Sequence, residues 1–553
     1  MATVDRKTSE LARATAVNDD DLIPIVQSGV TKAVEVQNLL GGAVNVGWFG
    51  AVGDGVTVDT TAIQAAIDAL KALGGGELRF GAGQTYMTGS LNIFAGLHIK
   101  LNGATVKLIP NQADFARVFR NAGISGYQYT GSVDSNPFIV EGGILDGNRA
   151  NQGTYTGYEL EHHALVCVSA ASNSTGKFVV KLRDLIIKES AGDGINLAYN
   201  SRVAIENVTT WNCFRGGVTV SGGGHALSIK KCSSGGDVHD FAINVEPTST
   251  PGNEFDLFID NYSIGSGFDV DLQNTAAGNV YVRGLKMTGY QFHLTGKSDG
   301  KFVFEDSIIR MGTTTTSDEV RTPYDLTFTR CKFTAVDSPE AGTNYALRIN
   351  WDNAAGQNAR FRQCAFAVDA SVEGADTTYG INQPSQGVGN ESTLLVEDCK
   401  FTGFDYGVLM RGGNVIFRNC EADSHLLHCQ GSSGTELNAV TVEGRQALSS
   451  TKAVITQSGS AVPVAIRYVN HEVDGGDGSA GGGENTLSFT GFTNVTKLWG
   501  RRRIYVTAAP TGGALAGDIA INNAPAAGAA GAWVATTDSN TAATWKVAYT
   551  LAG

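Results

Sequence analysis

The sequence predicts an all-β fold in which short strands stack as a parallel solenoid, and three observations lead to it. Glycine supplies 70 of the 553 residues, well above its usual share of roughly 7%. Charged residues make up 17% of the chain and hydrophobic residues 42%, which fits a large core between tight turns. Alternating apolar segments also return about every 23 residues through the centre of the chain, which indicates a repeat architecture.

Ten segments form the first repeat family. Each alternates apolar and polar residues, and many end in Asn or Asp followed by an apolar residue. Because successive residues of a strand point to opposite faces, this alternation predicts strands with one buried face. The segments begin at Val180, Val203, Leu227, Leu257, Val280, Phe302, Leu326, Ala359, Leu394 and Val415.

A second strand family lies between these segments, and no helical pattern separates the two. Two or more strands per repeat, with glycine turns, predict coils that stack in parallel about 4.8 Å apart. The members of this family begin at Gly194, Gly217, Ala242, Phe268, Gln291, Ala346 and Gly407.

Five cysteines occupy one position of the first family. We expect them to form a column of small buried side chains, because no CxxC pair or His-rich neighbour suggests zinc. The sequence therefore predicts no metal site and no cofactor. These cysteines are Cys232, Cys331, Cys364, Cys399 and Cys420.

A single amphipathic helix is predicted before the solenoid. Asp59 or Thr60 is its expected N-cap, and Gly74 to Gly76 end it. Such a helix is expected to cover the open end of the solenoid core. Its apolar face consists of Ile63, Ala66, Ile67 and Leu70.

Composition and charge exclude several functional classes. The net charge of -13 argues against nucleic acid and against an anionic membrane as the main partner. No run of about 18 apolar residues is present, so we expect no membrane insertion. Eight cysteines are too sparse for a disulfide scaffold, and no secretory leader is visible at the N-terminus. We therefore expect synthesis in a reducing cytosol.

The segment FGAVGDGVTVDTTAIQAAIDA…GGGELRFGAGQTYMTGSLNI, which begins at Phe49, carries a family resemblance. It resembles the entry motif of the pectate-lyase-like superfamily of right-handed parallel β-helices, and within that superfamily the chain resembles bacteriophage tailspikes. Val58 departs from the motif, where an aspartate is common, and GAGQTY from Gly81 replaces P-A-G-T-Y. GGILDGN from Gly142 is similar to an early coil of these helices. The resemblance implies a right-handed parallel β-helix over residues 47–447.

Both ends of the chain extend this resemblance. Residues 8–41 resemble the small module that attaches tail fibres and spikes to the virion, and GDIAINNAPAAGAAGAWVATT resembles a closing β-module. The resemblance implies a virion-attachment module at 1–46 and a C-terminal β-rich region at 448–553, for trimerisation or carbohydrate binding. It also implies a homotrimer that joins the phage tail or baseplate through its N-terminus. Such a protein is made in the host cytoplasm and acts on the lipopolysaccharide O-antigen or capsule at the bacterial surface.

The candidate catalytic residues come from aligning the second strand family. Their apolar positions lie 23, 25, 25 and 24 residues apart, so we expect five consecutive strands with matching columns. Glu246 and Asp271 should then lie about 5 Å apart, with Asp269 on the diagonal at about 7–8 Å from Glu246. One outward column reads Asn196, Thr219, Asn244, Asp269 and His293, and the next reads Ala198, Ser221, Glu246, Asp271 and Thr295.

Three acids on two neighbouring strands predict glycoside hydrolysis, which needs one protonated and one ionised carboxyl group. We expect Glu246 to act as the general acid and Asp269 or Asp271 as the base, with mutual repulsion keeping one acid protonated. The alternative is that these acids only keep an exposed face soluble. The expected substrate-binding residues are Asp193, Arg215, Asp237, His239, Asn244 and His293.

Three alternatives remain open for these residues. Asp193 and Asp237 lie at turns, where aspartates often bond to backbone N–H groups, and Arg215 has the alternative of pairing with either of them. A polysaccharide lyase would rely on Arg215 with His239 or His293 to remove a proton from a uronic acid. A non-catalytic adhesin would bind the glycan without shortening it.

Overall fold

The structure is a computed structural model. It describes residues 22–27, 30–35, 42–121, 124–125, 128–129, 136–153, 160, 162–171, 176–236, 238, 241–246, 254–272, 277–288, 292–296, 300–311, 320–321, 325–336, 343–350, 357–370, 372, 377–383, 392–423, 425–431, 437–448, 455–459, 465–475, 497–499, 502–506, 519–522, 529–537 and 544–550. The chain divides into two compact units, Met1–Asp240 (unit 1) and Phe241–Gly553 (unit 2). Each unit is described by itself.

Within its described residues, unit 1 contains one α-helix and many short strands. The helix α1 spans Thr60–Ala72, and two short 3-10 helices span Val46–Phe49 and Arg149–Asn151. Its strands are β1 Leu22–Gln27, β2 Val30–Glu35, β3 Ala43–Asn45, β4 Asp54–Val58, β5 Gly76–Arg79, β6 Thr85–Thr88, β7 Leu91–Ile93, β8 Leu97–Lys100, β9 Thr105–Leu108, β10 Arg117–Asn121, β11 Ile124–Ser125, β12 Gln128–Tyr129, β13 Phe138–Asp146, β14 Ala164–Val168, β15 Phe178–Lys188, β16 Asp193–Leu197, β17 Ser201–Trp211, β18 Gly216–Ser221 and β19 His225–Gly235.

Two parallel sheets run through unit 1. Sheet A stacks β3, β5, β8, β13, β15, β17 and β19, and β4, β6 and β9 join the same stack at β13. Sheet B stacks β7, β10, β14, β16 and β18. β1 and β2 form an antiparallel hairpin, as do β11 and β12.

The helix α1 packs against the first strands of both sheets of unit 1, namely β3, β5, β7 and β8. Its predicted apolar face is confirmed, because all four residues of that face are fully buried. Asp59 lies at the N-cap position, but its carboxylate does not bond to the helix. It accepts hydrogen bonds from the backbone N–H groups of Val52 and Gly53 at 2.7 and 3.1 Å. The acid therefore holds the preceding loop against the helix end.

Unit 2 is built from strands throughout its described residues. They are β20 Phe241–Glu246, β21 Glu254–Ile264, β22 Gly267–Leu272, β23 Ala277–Met287, β24 Phe292–Gly296, β25 Lys301–Glu305, β26 Ile308–Met311, β27 Val320–Arg321, β28 Asp325–Thr329, β29 Lys332–Ala335, β30 Thr343–Asn350, β31 Asn358–Arg362, β32 Ala365–Val368, β33 Thr377–Gln383, β34 Thr393–Glu397, β35 Lys400–Thr402, β36 Tyr406–Met410, β37 Gly413–Arg418, β38 Glu421–Ala422, β39 His425–Gly431, β40 Leu437–Leu448, β41 Ile455–Gly459, β42 Ala465–Gly475, β43 Lys497–Trp499, β44 Arg502–Val506, β45 Ile519–Asn522, β46 Ala530–Ala535 and β47 Trp545–Thr550.

Sheets A and B recur in unit 2 with parallel pairing. Sheet A runs from β21 and β23 through the strand pairs β25/β26 to β37/β38, and then to β40, β42, β44 and β45. Sheet B stacks β20, β22, β24, β27, β30, β33, β36, β39 and β41. The last three strands, β45 to β47, pair antiparallel. The predicted parallel β-helix is confirmed.

Sheet A bends in each coil at one residue with a left-handed backbone. Asn and Asp tolerate this conformation better than most residues, which explains the Asn and Asp of the first repeat family. Neighbouring bend residues also bond to each other, as between Asn207 Nδ2 and Asp184 Oδ1 at 2.7 Å in unit 1. The bend residues are Asp184, Asn207 and Lys231 in unit 1, and Asn261, Gly284, Asp306, Arg330, Gln363, Asp398, Asn419 and Gly444 in unit 2.

The residue after each bend points into the core, and the predicted cysteine column occupies this position. All five cysteines are buried and free. Their thiols donate to backbone carbonyls of the preceding coil, as Cys420 does to Val396 O at 3.4 Å, and burial raises the pKa of Cys420 to about 12. Stacked phenylalanines extend the core of unit 2, with Phe304, Phe328 and Phe361 in one column and Phe333, Phe366 and Phe401 in another.

No helix in the described part of the chain has the length and apolar character needed to cross a membrane.

Candidate functional site

The predicted acid cluster lies on the outward face of sheet B in unit 2. The strand register pairs Asn244 with Asp269 and Asp269 with His293, as the sequence alignment predicts. The paired residues of β20 and β22 extend to Val245 and Val270. Glu246 and Asp271 are the next residues of these two strands. The apolar residues between these positions are buried, so the polar ones face away from the core.

Asp269 and His293 form a hydrogen-bonded pair across two strands. His293 Nδ1 lies 2.6 Å from Asp269 Oδ1, and both side chains keep part of their surface exposed, 23% and 16%. A carboxylate at this distance fixes the orientation of the imidazole ring. The pair can therefore exchange a proton with a ligand that reaches this face.

Glu246 is held by the neighbouring amide. Asn244 Nδ2 donates to Glu246 Oε1 at 3.0 Å, which connects the two outward columns. Asn244 itself is buried, whereas Glu246 and Asp271 are partly exposed. The outward column that contains Asn244 is thus less exposed to solvent than the apolar–polar alternation alone suggests. Three carboxyl groups with different surroundings lie on two adjacent strands.

In unit 1, the corresponding face of sheet B forms a closed polar cluster. Asp193 has no exposed surface, and its carboxylate accepts from Thr219 Oγ1 at 2.7 Å and from Asn196 Nδ2 at 2.9 Å. Arg215 Nη1 lies 3.5 Å from Asp193 Oδ2. These contacts support the alternative in which Arg215 pairs with Asp193 and the carboxylate organises its neighbours.

The remaining predicted residues, Asp237 and His239, lie outside the described residues. Within the described ranges, no group of three or more His, Cys, Asp and Glu side chains has an arrangement that would hold a metal ion.

The structure also brings together residues that the sequence alignment did not single out. In sheet B of unit 2, Tyr379, Tyr406 and His425 lie on successive strands, and His428 contacts Tyr406 with ring centres 4.4 Å apart. Burial raises the pKa of Tyr379 and lowers that of His428. The segments TTYGINQ and HLLHCQG lack the regular alternation of the second strand family. A tyrosine before a small residue recurs in Tyr345-Ala346, Tyr379-Gly380 and Tyr406-Gly407, and this is the signal that the sequence offers for TTYGINQ, whereas HLLHCQG contains no tyrosine.

Part of the chain is similar to known proteins. Residues 43–291 match the family model described as "Rhamnogalacturonase A/epimerase, pectate lyase-like". The mannuronan C5-epimerase AlgE5 of Azotobacter vinelandii is 30% identical over 275 residues, which cover 42% of this chain and 26% of that protein. Alginate lyase 7 of the same organism is 28% identical over 204 residues, covering 33% of this chain and 24% of that protein. The chain thus spans about a quarter of the length of these curated relatives.

Solved structures with a similar chain path include two phage proteins. The N-terminal fragment of bacteriophage Phi29 gene product 12 has a TM-score of 0.49 at 12% identity, covering 86% of this chain and 80% of that one. The tailspike protein of E. coli bacteriophage HK620 has a TM-score of 0.33 at 10% identity, covering 89% and 75%. The strand pairing confirms the expected parallel β-helix within each unit, and residues 43–291 match the pectate-lyase-like family model.

Proposed function

We propose that this protein is a phage tailspike that binds and cleaves a bacterial surface polysaccharide, either O-antigen or capsule, on sheet B of unit 2. The observation that carries this proposal is the strand register, which aligns Asn244, Asp269 and His293. Glu246 and Asp271 each follow the last paired residue between β20 and β22 by one position. Carboxyl groups at such positions are the groups that glycosidic bond cleavage needs. The pectate-lyase-like match supports a carbohydrate substrate.

Hydrolysis is the reaction we assign first. Glu246, oriented by Asn244, donates a proton to the glycosidic oxygen, and the C–O bond breaks. Asp269, paired with His293, takes a proton from the attacking water. The expected diagonal separation of about 7–8 Å falls in the range of inverting enzymes. Asp271, on the strand next to Glu246 at about 5 Å, is the alternative partner and would give retention.

Proton abstraction is the second candidate, and the Asp269–His293 pair favours it. In a uronate polymer, His293 would remove the proton at C5, and the bond from C4 to the leaving oxygen would break as that oxygen takes up a proton from solvent. A C4–C5 double bond would form. A carboxylate-oriented imidazole is a suitable base for this step. The names of the curated relatives, an epimerase and a lyase that act on uronate polymers, support the same chemistry.

Mass spectrometry of the products distinguishes these reactions. Purified O-antigen, capsular polysaccharide and polymannuronate are incubated with the wild type, with Glu246→Gln and with His293→Gln. Hydrolysis adds one water to each fragment, whereas elimination leaves an unsaturated, ultraviolet-absorbing end. We expect water addition, and a loss of at least about 100-fold in Glu246→Gln.

Glu305→Gln, on β25 of sheet A in the same unit, is the matched control and should cleave like the wild type. Unchanged cleavage by Glu246→Gln would remove Glu246 from the mechanism. An unsaturated product lost in His293→Gln would replace hydrolysis by elimination. A polymer that is bound but keeps its length would make the protein an adhesin.

The assembly belongs to the same proposal. We place residues 1–46 at the phage tail or baseplate and expect three copies of the chain in one spike, with the C-terminal strands from β41 onward contributing to trimerisation or carbohydrate binding. The N-terminal motif and the C-terminal β-rich sequence support this arrangement. Light scattering of the full chain tests it, and a monomer mass would contradict it.

A further inference from the structure

Farther along sheet B of unit 2, aromatic side chains occupy the same position on four successive strands. Tyr345 of β30 pairs with Tyr379 of β33, which pairs with Tyr406 of β36, which pairs with His425 of β39. We call these four residues the Tyr–His column.

The glycines that follow two of these tyrosines show which way the column faces. A Cβ atom on Gly380 would lie 2.5 Å from the ring of Phe401, and one on Gly407 would lie 3.1 Å from the same ring. Phe401 is fully buried in the core. Since adjacent strand residues point to opposite faces, Tyr379 and Tyr406 point away from the core.

The rings of the column stack on one another. The ring centres of Tyr379 and Tyr406 are 5.5 Å apart at 18°, and those of Tyr406 and His425 are 5.6 Å apart at 25°. Tyr406 and His425 keep part of their surface exposed, while Tyr345 and Tyr379 are nearly covered. Stacking fixes Tyr379, Tyr406 and His425, so that their edges and polar atoms form a row with ring centres 5.5–5.6 Å apart.

Fixed hydrogen-bonding groups flank this row. On one side, Asp405 accepts from the backbone N–H and the hydroxyl of Thr378, at 2.9 and 3.0 Å. On the other side, Arg411 Nε donates to Gln430 Oε1 at 2.9 Å. These pairs keep charged and amide groups in place beside the aromatic rings.

One buried acceptor points to a ligand. Asn382 follows Tyr379 by three residues on β33 and is paired with Arg348 on one side and with the buried Leu409 on the other. It is 8% exposed, and its Oδ1 atom has no hydrogen-bond partner within the described ranges. A buried carbonyl oxygen without a donor is costly, and a ligand hydroxyl would satisfy it.

The Tyr–His column and the proposed catalytic residues lie on one face of sheet B in unit 2. From β22, which carries Asp269, the order of sheet B is β24, β27, β30, β33 and β36. Five steps of about 4.8 Å separate Asp269 from Tyr406 by about 24 Å along the stack. A chain molecule bound at Glu246 and running along the stack would therefore meet the Tyr–His column.

We propose that the Tyr–His column, with Asn382, Arg411 and Gln430, is a second binding subsite for the same polysaccharide chain. The inference rests on the proposed function, because the chain that is held is the polymer cleaved at Glu246. A glycan fits these groups because it offers many hydroxyls to phenol, amide and guanidinium groups and apolar C–H faces to ring edges. The spacing selects a polymer several sugar units long over a short fragment.

Affinity for long and short fragments of one polysaccharide tests this subsite. The probe is the polymer that wild-type protein retards most in affinity electrophoresis, taken from a panel of purified O-antigens, capsular polysaccharides and polymannuronate. All binding variants also carry Glu246→Gln, so that the probe is not cut. We expect Tyr406→Ala to bind the long fragments about tenfold more weakly, and to lose the gain in affinity that length gives.

Two variants control for folding and for surface chemistry. Tyr406→Phe keeps the ring stack and should lose affinity for long fragments by a smaller factor than Tyr406→Ala. Tyr281→Ala removes an exposed tyrosine from sheet A of the same unit and should bind like its parent.

Equal affinity of Tyr406→Ala and its parent for long fragments would overturn the subsite, and so would failure of the parent to bind any polymer of the panel. Weaker binding by Tyr406→Ala without any cleavage by the wild type would uphold the subsite and refute the proposed reaction.

Discussion

Sheet B presents polar side chains at equivalent strand positions in both units, but the two sets differ in how far they are closed. In unit 1, Asp193 is fully covered and bonds to Thr219 and Asn196. In unit 2, Asp269 and His293 bond to each other and remain partly exposed. The same face of the same kind of sheet thus carries an enclosed carboxylate in one unit and an accessible one in the other.

The difference separates a structural carboxylate from a candidate catalytic one. A buried carboxylate with several donors contributes to folding, and its removal leaves those donors unsatisfied. A partly exposed carboxylate contributes little to folding, because water replaces the bonds that it loses. Substitution of the two acids should therefore affect different properties.

The largest effect is expected in unit 2. Asp269→Asn should lower polysaccharide cleavage by at least about 100-fold, because asparagine cannot accept a proton from the attacking water. The melting temperature should not change measurably, since both side chains are partly exposed. Initial rates of fragment release and a thermal unfolding curve measure the two quantities.

Asp256→Asn is the matched control for that variant, because Asp256 is an exposed acid on β21 of sheet A. It should cleave like the wild type. If Asp269→Asn kept full activity while its melting temperature fell, the two units would not differ in the way described.

The second effect is expected in unit 1. Asp193→Asn should lower the free energy of unfolding by about 2 kcal/mol, because an amide cannot accept from Thr219, Asn196 and Arg215 together. The midpoint of denaturant unfolding measures this loss. Glu206→Gln, at an exposed position on β17, should stay within about 0.5 kcal/mol of the wild type. Equal midpoints for both variants would show that the enclosed carboxylate is not structural.

The sequence predicts the fold well because the repeat is a property of neighbouring residues. Alternation identifies the strands of sheet A from Val180 onward, and helix periodicity identifies all four buried residues of α1. Alternation does not identify β33 and β39, because their segments TTYGINQ and HLLHCQG lack a run of alternating apolar and polar residues.

The sequence predicts the strand register of the candidate site, but it does not predict which of its side chains are buried. The spacing of the second strand family gives the pairing of Asn244, Asp269 and His293, because parallel strands in a stack align their columns. It does not give the burial of Asp193 or of Thr219, because strand spacing carries no information on what packs over a face. Which outward residues stay accessible is decided by tertiary packing.

The smallest effect concerns His225, and it extends the comparison of the two units from acidic side chains to basic ones. His225 in unit 1 is buried, with Nδ1 2.7 Å from Ser201 Oγ and Nε2 3.2 Å from the carbonyl oxygen of Ser221. Burial lowers its pKa from 6.5 to about 4. The unfolded chain therefore binds more protons between these values, so this residue makes stability fall as the pH drops from about 6.5 to about 4.

The loss should reach at most about 1.4 kcal/mol per pH unit in that window, and it should be absent above it. Unfolding midpoints at several pH values, compared between the wild type and His225→Gln, isolate this contribution, because the acids of the chain titrate in both proteins. The variant should be less stable than the wild type near neutral pH, and the gap should narrow as the solution becomes acidic. A constant gap would mean that His225 takes up a proton as readily in the folded chain as in the unfolded one.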